Sequence, residues 1–189
     1  MIFTGGFARR AASGLYGRAV DAARAPEFYR GYGVADTIEG RYEMIVLHIV
    51  LLLFRLRSSD QGRGPDRARD SGKGRARLAQ ALVDFMAADL DRSIRELGVG
   101  DLSVSRFMKR LGEGLYGRAA AYESALRSDA SALSAALLRN IYDGADPGQG
   151  ILARLVDYVQ TQQRHLADQP MAEIGIGHVD FLAPGGPES

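Results

Sequence analysis

The stretch that decides the fold is residues 44–54, Met-Ile-Val-Leu-His-Ile-Val-Leu-Leu-Leu-Phe, which is apolar on every side except at His48. Its length is about half of the ~20 residues that a membrane-spanning helix needs, and arginines flank it on both sides. A buried core helix is therefore the favoured interpretation. Because a helix that is apolar all round must be covered by other helices, the stretch predicts an all-α, single-domain bundle around a buried central helix at about 37–56.

The residues before this helix predict where it begins. Asp36 is placed to accept hydrogen bonds from the first free N–H groups, and Glu39 to return one to the cap residue, as in a capping box. Glu43 lies at the mouth of the buried helix and has no cation at i+3 or i+4. A buried carboxylate without a partner is costly, so one interpretation pairs Glu43 internally with a remote cation, for example Arg95 or Arg118.

His48 is the polar residue inside the apolar run. It permits two interpretations, a ligand of haem or metal and a core histidine that is hydrogen-bonded to a neighbour. The other histidines, His165 and His178, are remote in sequence, and no cysteine is present to complete a metal site. The core interpretation is therefore favoured, and we expect neither a cofactor nor a metal.

Composition limits the function classes. The 189 residues are 46% hydrophobic, which is enough for the core of one domain, and a net charge of +1 gives no general signal for nucleic acid. The absence of cysteine excludes disulfides and thiolate catalysis. The sequence contains no Gly-x-Ser-x-Gly elbow, phosphate-binding Gly-Lys-Ser loop or His-Glu-x-x-His helix, so no catalytic residues are assigned.

Charge and turn residues divide the chain. Residues 1–25 predict a basic N-terminal helix that could lie on an anionic membrane surface, followed by a helical domain at 26–182. Within that domain, the Gly-, Ser-, Asp- and Arg-rich residues 58–74 predict a mobile loop. Residues 183–189 predict a disordered tail.

The second half of the chain is also helical in pattern. Asp129 predicts the start of one helix, and Asp146 followed by Pro147 predicts the N-cap and first position of the next. Before them, apolar residues follow helical spacings of three and four through Val104, Met108, Leu111, Leu115, Ala119, Tyr122 and Leu126.

Two blocks of sequence resemble the signature of the ubiquinol-cytochrome c chaperone family. The first block comprises Pro-Glu-Phe-Tyr at 26–29, Gly-Val-Ala-Asp-Thr-Ile-Glu-Gly-Arg-Tyr-Glu-Met at 33–44 and Leu-His at 47–48. The second comprises Arg-Glu-Leu-Gly-Val-Gly-Asp at 95–101, Val104, Met-Lys at 108–109, Tyr-Gly-Arg at 116–118 and Ala-Tyr at 121–122. The blocks occur in the family's order and cover about residues 26–126, which makes them more specific together than either is alone.

The resemblance implies an assembly factor and not an enzyme. Members are all-helical proteins that help to build the ubiquinol-cytochrome c reductase by binding newly synthesised cytochrome b. In mitochondria they work near the ribosome exit region with a small partner subunit. The short N-terminus resembles that of a bacterial member, which implies a cytoplasmic location peripheral to the inner membrane, with the mitochondrial matrix side as the eukaryotic counterpart. No specific nucleic-acid sequence is expected as a partner.

Polar residues in the two blocks are the candidate site. We expect Asp36, Glu39, Glu43 and His48 to serve the structure. We expect the remainder to contact a partner, namely Arg41, Arg95, Glu96, Asp101, Lys109, Tyr116, Arg118 and Tyr122. If Arg118 faces a partner, Arg118→Ala should weaken client binding and leave the melting temperature nearly unchanged.

Two other function classes are compatible with the residues. One is a helical haem- or isoprenoid-binding protein that uses His48. The other is an RNA or ribosome adaptor that uses residues 57–77. This stretch contains seven basic and three acidic residues, which gives it a local net charge of +4. No aromatic residue is interleaved there on which a base could stack, so a solvated connector is favoured.

Overall fold

The structure is a computed structural model that describes residues 4–58, 72–96, 114, 117–148 and 150–185. Within these ranges the regular elements are all α-helices, which confirms the predicted fold class. They are α1 (Thr4–Ala23), α2 (Pro26–Arg30), α3 (Ile38–Arg57), α4 (Gly72–Glu96), α5 (117–127), α6 (Ala130–Ile141), α7 (Ile151–Asp168) and α8 (Met171–Gly175).

The central helix is α3, which differs from the predicted 37–56 by one residue at each end. Nearly all of the predicted apolar run is buried in it, and only Ile45 and Phe54 are half-buried. Helices α1 and α4 pack on α3 and on each other, while α6 and α7 do the same. The bundle therefore surrounds α3 from two groups of helices, as the all-round apolar pattern requires.

The chain after α8 runs along the bundle as a segment without regular structure, which we call the strap (178–185). The turn before it lies directly against α1. A Cβ atom placed on Gly14 would lie 2.7 Å from the carbonyl oxygen of Gly177, which itself has a left-handed φ of 96°. Only glycine fits this approach of two backbones without a shift.

Several element boundaries differ from the sequence-based prediction. Pro26 does not follow α1 directly, because α1 ends at Ala23 and the proline begins the short helix α2, which carries the buried Phe28. Helix α4 begins at Gly72, inside the predicted 58–74 loop, whose residues 59–71 lie outside the described chain. The proposed division into domains stays a prediction, and residues 186–189 of the tail are likewise outside the description.

The two predicted aspartate caps have opposite outcomes. Asp129 is confirmed as the N-cap of α6, since its carboxylate accepts a 2.8 Å hydrogen bond from the Ala132 N–H. The prediction for Asp146 is wrong, because α7 begins only at Ile151. The Asp146 carboxylate accepts instead from the Gly148 N–H at 2.9 Å, which stabilises a turn before the helix.

Candidate partner-binding site

An ion pair joins the central helix to α5. Glu43 lies in the second turn of α3 with 8% of its surface exposed, and its Oε1 accepts a 2.7 Å hydrogen bond from Nη2 of Arg118. The predicted internal partner of Glu43 is thus Arg118. Burial nevertheless raises the pKa of Glu43 to about 7, because the attraction of Arg118 offsets only part of the cost of removing the carboxylate from water.

Four polar atoms around this pair have no hydrogen-bond partner in the described structure. They are Oε2 of Glu43, Nε of Arg118, the hydroxyl oxygen of Tyr122 and Nδ2 of Asn140, and all are inaccessible to solvent. Tyr122 is completely buried near Asn140, and burial raises the pKa of its hydroxyl. We call these four residues the Glu43 cluster. It brings buried polar groups of α3, α5 and α6 together at one place, where each group needs a partner because it has been removed from water.

An exposed patch lies before and at the start of α3. The Arg41 guanidinium binds Asp36 at 2.6 Å and lies 5.6 Å from the ring centroid of Tyr29. The Arg41 guanidinium holds the pKa of Asp36 below its usual range. Ile38, three residues before Arg41 and therefore on the same side of the helix, is 59% exposed. We call Tyr29, Asp36, Ile38 and Arg41 the entry patch, an apolar side chain framed by a charge pair.

The capping prediction for this helix end is wrong. The N-cap is Thr37, whose hydroxyl accepts a 3.1 Å hydrogen bond from the Gly40 N–H, and Asp36 and Glu39 do not form a capping box. Asp36 lies one residue too early and its carboxylate is engaged by Arg41. Glu39 is exposed in the first turn, where a negative charge still interacts favourably with the helix dipole.

The structure places the predicted partner-binding residues in three settings. Arg41 is exposed in the entry patch, whereas Arg118 and Tyr122 belong to the Glu43 cluster. The expectation that Tyr122 faces a partner directly is wrong for the described state, because its side chain fills the core. Arg118 also forms an ion pair with Glu43. The structure therefore does not support the expectation that Arg118→Ala leaves the melting temperature nearly unchanged. The side chains of the other predicted residues lie outside the described chain, namely Arg95, Glu96, Asp101, Lys109 and Tyr116.

Sequence reasoning missed Ile38 and Asn140. Ile38 carried a signal, since it is a large apolar residue in the first turn of a helix whose buried face begins later. Asn140 carried none, because its position beside Tyr122 depends on how α5 and α6 pack.

His48 is a core histidine, as the favoured interpretation held. Its Nδ1 lies 2.7 Å from the Met44 carbonyl oxygen, and its Nε2 lies 2.8 Å from the Tyr158 hydroxyl. Since a carbonyl can only accept, Nδ1 carries the hydrogen and Nε2 accepts from Tyr158. Burial lowers the pKa of His48 to about 4, so the ring is neutral. Both nitrogens are occupied, and a haem iron could be bound only by breaking one of these hydrogen bonds.

Two properties of the described residues limit the type of site. No group of three or more His, Asp or Glu side chains is arranged there to hold a metal ion. None of the helices in these ranges combines the length and apolar character that a membrane span requires.

Comparison with known proteins identifies relatives. The sequence model of the family described as "Ubiquinol-cytochrome C chaperone" matches residues 30–181. The chain is 28% identical over 158 residues to ubiquinol-cytochrome c reductase complex assembly factor 1 of Mus musculus, covering 82% of this chain and 49% of the mouse protein. It is 27% identical over 157 residues to the protein of the same name from Drosophila melanogaster, covering 82% and 58%. The chain thus spans about half the length of these curated relatives.

A solved structure gives the same picture. The crystal structure of the Cbp3 homolog from Brucella abortus superposes with a TM-score of 0.73 and 36% sequence identity. The superposition covers 91% of this chain and 88% of the Brucella chain. The similarity therefore extends over nearly the whole of both molecules.

Proposed function

This chain belongs to the ubiquinol-cytochrome c chaperone family, and from that premise we propose that it is an assembly chaperone that binds newly made cytochrome b during biogenesis of the ubiquinol-cytochrome c reductase. The observation that carries the proposal is the family match over residues 30–181, which includes the Glu43 cluster and most of the entry patch. The protein would act by holding its client and would catalyse no reaction. Contact with the ribosome exit region and with a small partner subunit stays a prediction from the resemblance.

The entry patch is the surface that we assign to the client. Ile38 offers exposed apolar area, and the adjacent Arg41 and Asp36 offer one charge of each sign. Protein interfaces commonly combine such an apolar centre with a polar rim. Glu43 lies a few residues further along the same helix, and its ion pair with Arg118 joins α3 to α5.

We also propose that the protein works at the surface of the inner membrane. Phe7 on α1 is 60% exposed, and the neighbouring Arg9 and Arg10 are exposed as well. An apolar side chain with adjacent cations suits the boundary of an anionic bilayer. Flotation with vesicles that contain anionic lipid should carry the protein upward, and Phe7→Ser together with Arg10→Gln should reduce the floated fraction.

The decisive experiment is removal of the gene from its host. The proposal expects a selective loss of membrane cytochrome b and of ubiquinol-cytochrome c reductase activity, while another respiratory complex, measured as the control, is unchanged. Normal cytochrome b and normal activity in the deletion strain would refute it.

Complementation then tests the surface. Ile38→Asp should fail to restore cytochrome b, because it places a charge at the centre of the entry patch. Ile176→Asp is the matched control, since Ile176 is also an exposed isoleucine, with 47% of its surface accessible, but lies after α8. Equal restoration by both variants would exclude the entry patch as the client surface.

The described residues favour neither alternative function. A haem-binding role is opposed by the two hydrogen bonds of the His48 ring. Most of the basic stretch 57–77 lies outside the description, and its first residue, Arg57, is paired with Glu123.

A further inference from the structure

A series of hydrogen bonds connects the strap to the central helix through two side chains of α7. The Leu182 N–H donates to Oε1 of Gln162 at 3.2 Å, and Nε2 of Gln162 donates to the Leu182 carbonyl at 2.6 Å. Burial raises the pKa of the Tyr158 hydroxyl, and a hydrogen bond from the Gln162 amide to that oxygen offsets part of the rise. Tyr158 in turn donates to Nε2 of His48, whose Nδ1–H donates to the Met44 carbonyl. We call these five residues the polar chain.

Backbone groups at the two ends fix the direction of every hydrogen bond in the polar chain. The Leu182 N–H can only donate, so Gln162 turns its oxygen to this N–H and uses its nitrogen as the donor to Tyr158. At the other end the Met44 carbonyl can only accept, so Nδ1 of His48 carries a hydrogen. A second hydrogen on Nε2 would displace the hydrogen of the Tyr158 hydroxyl, which would then have no acceptor within the chain. The closed arrangement therefore suits only a neutral His48.

The strap is one of three covers over the His48 ring, and it is the most weakly attached of them. The ring centroid of His48 lies 5.3 Å from that of Phe181 in the strap, 5.8 Å from that of Phe28 in α2 and 5.9 Å from that of Tyr158 in α7. Both helices have their own backbone hydrogen bonds. Within the described residues, by contrast, no backbone–backbone hydrogen bond joins 179–185 to the rest of the protein, and side chains of α1 and α7 hold the strap instead. The strap is thus the cover that can leave without unfolding a helix.

We propose that the strap is a proton-sensitive cover, closed over the neutral ring of His48 and opened when that ring is protonated. Opening would remove Phe181 from one side of the ring and free the Gln162 amide, so that water reaches the Tyr158 hydroxyl and His48 can carry its second hydrogen. In the closed state burial lowers the pKa of His48 to about 4, whereas an imidazole in water titrates near ~6.5. Protonation therefore favours the open state. The inference goes beyond the proposed function, because it concerns a movement of this fold and does not depend on the client.

Other titratable groups also hold the strap and must be separated from His48. The carboxylate of Asp180 lies 3.7 Å from Arg18 of α1 and 3.3 Å from His165 of α7. A protonated His165 would bind Asp180 more strongly, so this contact would close the strap at low pH and oppose the effect of His48. At the start of the strap, His178 lies 3.1 Å from Glu173 of α8, and both side chains are mostly exposed.

Amide hydrogen exchange in the full chain measures the opening directly. The Leu182 N–H is the reporter, because it is bound by Gln162 only while the strap is closed. After correction for the intrinsic exchange rate, its opening constant should rise about 20-fold between pH 7 and pH 5, as the two pKa values of His48 require. The amide of Val159, which is buried inside α7, reports on opening of the bundle and should change far less.

Two histidine variants identify the group responsible. His48→Gln keeps an acceptor for Tyr158 but cannot be protonated, so the opening constant of Leu182 should become nearly independent of pH. His165→Gln is the matched control and should keep the pH dependence, because it removes only the contact with Asp180. Glu43 also titrates in this range, but it is present in all three proteins and cancels in the comparison.

A measurement on the wild type covers the case in which His48→Gln does not fold. The imidazole ¹⁵N signals of His48 should show a hydrogen on Nδ1 alone at pH 7, and protonation of the ring should coincide with the faster exchange of Leu182. The inference is overturned if Nε2 carries the hydrogen at pH 7, if Leu182 and Val159 respond equally to pH, or if His48→Gln keeps the pH dependence of the wild type.

Discussion

Glu43 on α3 and Arg118 on α5 form a 2.7 Å ion pair in which each side chain also keeps one buried polar atom without a partner among the described residues. The two residues are far apart in sequence, so the pair ties the start of the central helix to a helix from the second half of the chain. Because its members are mostly removed from water, its effect on stability differs from that of the exposed Asp36–Arg41 pair.

Arg118→Ala should lower the free energy of unfolding by about 1–3 kcal/mol, because it leaves the Glu43 carboxylate buried without its cation. Arg41→Ala should cost about 0–1 kcal/mol, because its pair with Asp36 is exposed. Chemical denaturation of both variants measures the difference. Equal and small losses would mean that Arg118 contributes little to the fold and is available to a partner.

Glu43→Gln should change how stability depends on pH. The pKa of Glu43 is raised from 4.5 to about 7, so the folded protein holds this proton more tightly than the unfolded chain does. The contribution of Glu43 is full below pH 4.5 and is lost as the pH rises to about 7. The free energy of unfolding of the wild type relative to Glu43→Gln should therefore fall across that window.

His48 has the opposite effect on the pH dependence of stability. Because its pKa is lowered from 6.5 to about 4, its contribution to the free energy of unfolding declines as the pH falls from 6.5. Its effect is common to the wild type and to Glu43→Gln, and it cancels when the two unfolding curves are subtracted. Parallel pH profiles for the two proteins would show that Glu43 titrates at an ordinary pKa.

Tyr158→Phe should cost about 1–3 kcal/mol, because it leaves the fully buried Nε2 of His48 without a hydrogen bond. Tyr29→Phe removes a hydroxyl of the same chemistry that binds the Ala23 carbonyl in a partly buried setting, where water can substitute. Its cost should be about 1 kcal/mol or less. Thermal unfolding would rank the two, and an equal effect would contradict the assigned role of the His48 hydrogen bond.

Gly14→Ala and Gly17→Ala should have opposite signs although both lie in α1. A methyl group at Gly14 meets the Gly177 carbonyl at 2.7 Å and should separate α1 from the turn before the strap, which lowers stability. A methyl group at Gly17 meets nothing within 4 Å and should raise stability by about 0.5–1 kcal/mol through helix propensity. Denaturation midpoints of the pair decide this, and destabilisation by both would mean that α1 tolerates no change along this face.

Local and periodic features were predictable from the sequence. The all-round apolar run predicts α3 because burial is the only way to shield such a helix, and Asp129 predicts the start of α6 because its cap is made with its own neighbours. The prediction that Asp146 caps α7 is wrong because the contact is again local but of another type. An aspartate can stabilise a turn as readily as a helix end. Asp36 failed because a nearby cation, Arg41, competes for its carboxylate.

The candidate site was only partly predictable, because it depends on packing between distant segments. The need of Glu43 for a remote cation could be inferred from burial, but the choice of Arg118 over Arg95 could not. The burial of Tyr122, by contrast, was predictable, because this residue continues the apolar stripe that runs from Val104 to Leu126. Its polar hydroxyl nevertheless led to the wrong prediction that it contacts a partner. No sequence pattern indicates the position of Asn140 beside Tyr122. None indicates the two hydrogen bonds between the Gln162 side-chain amide and the Leu182 backbone either.

The contact of α1 with the strap also sets an order in time. Arg18 of α1 donates a 3.2 Å hydrogen bond to the Val179 carbonyl of the strap, and the two residues are 161 positions apart. At the usual 5–20 residues per second the ribosome needs about 8–30 s to synthesise that interval. During those seconds the face of α1 around Gly14 has no strap to pack against, while α3 and α4 are already available to it. The contact between α1 and the strap can therefore form only after α3 and α4 have been synthesised, so α1 meets these two helices before it meets the strap.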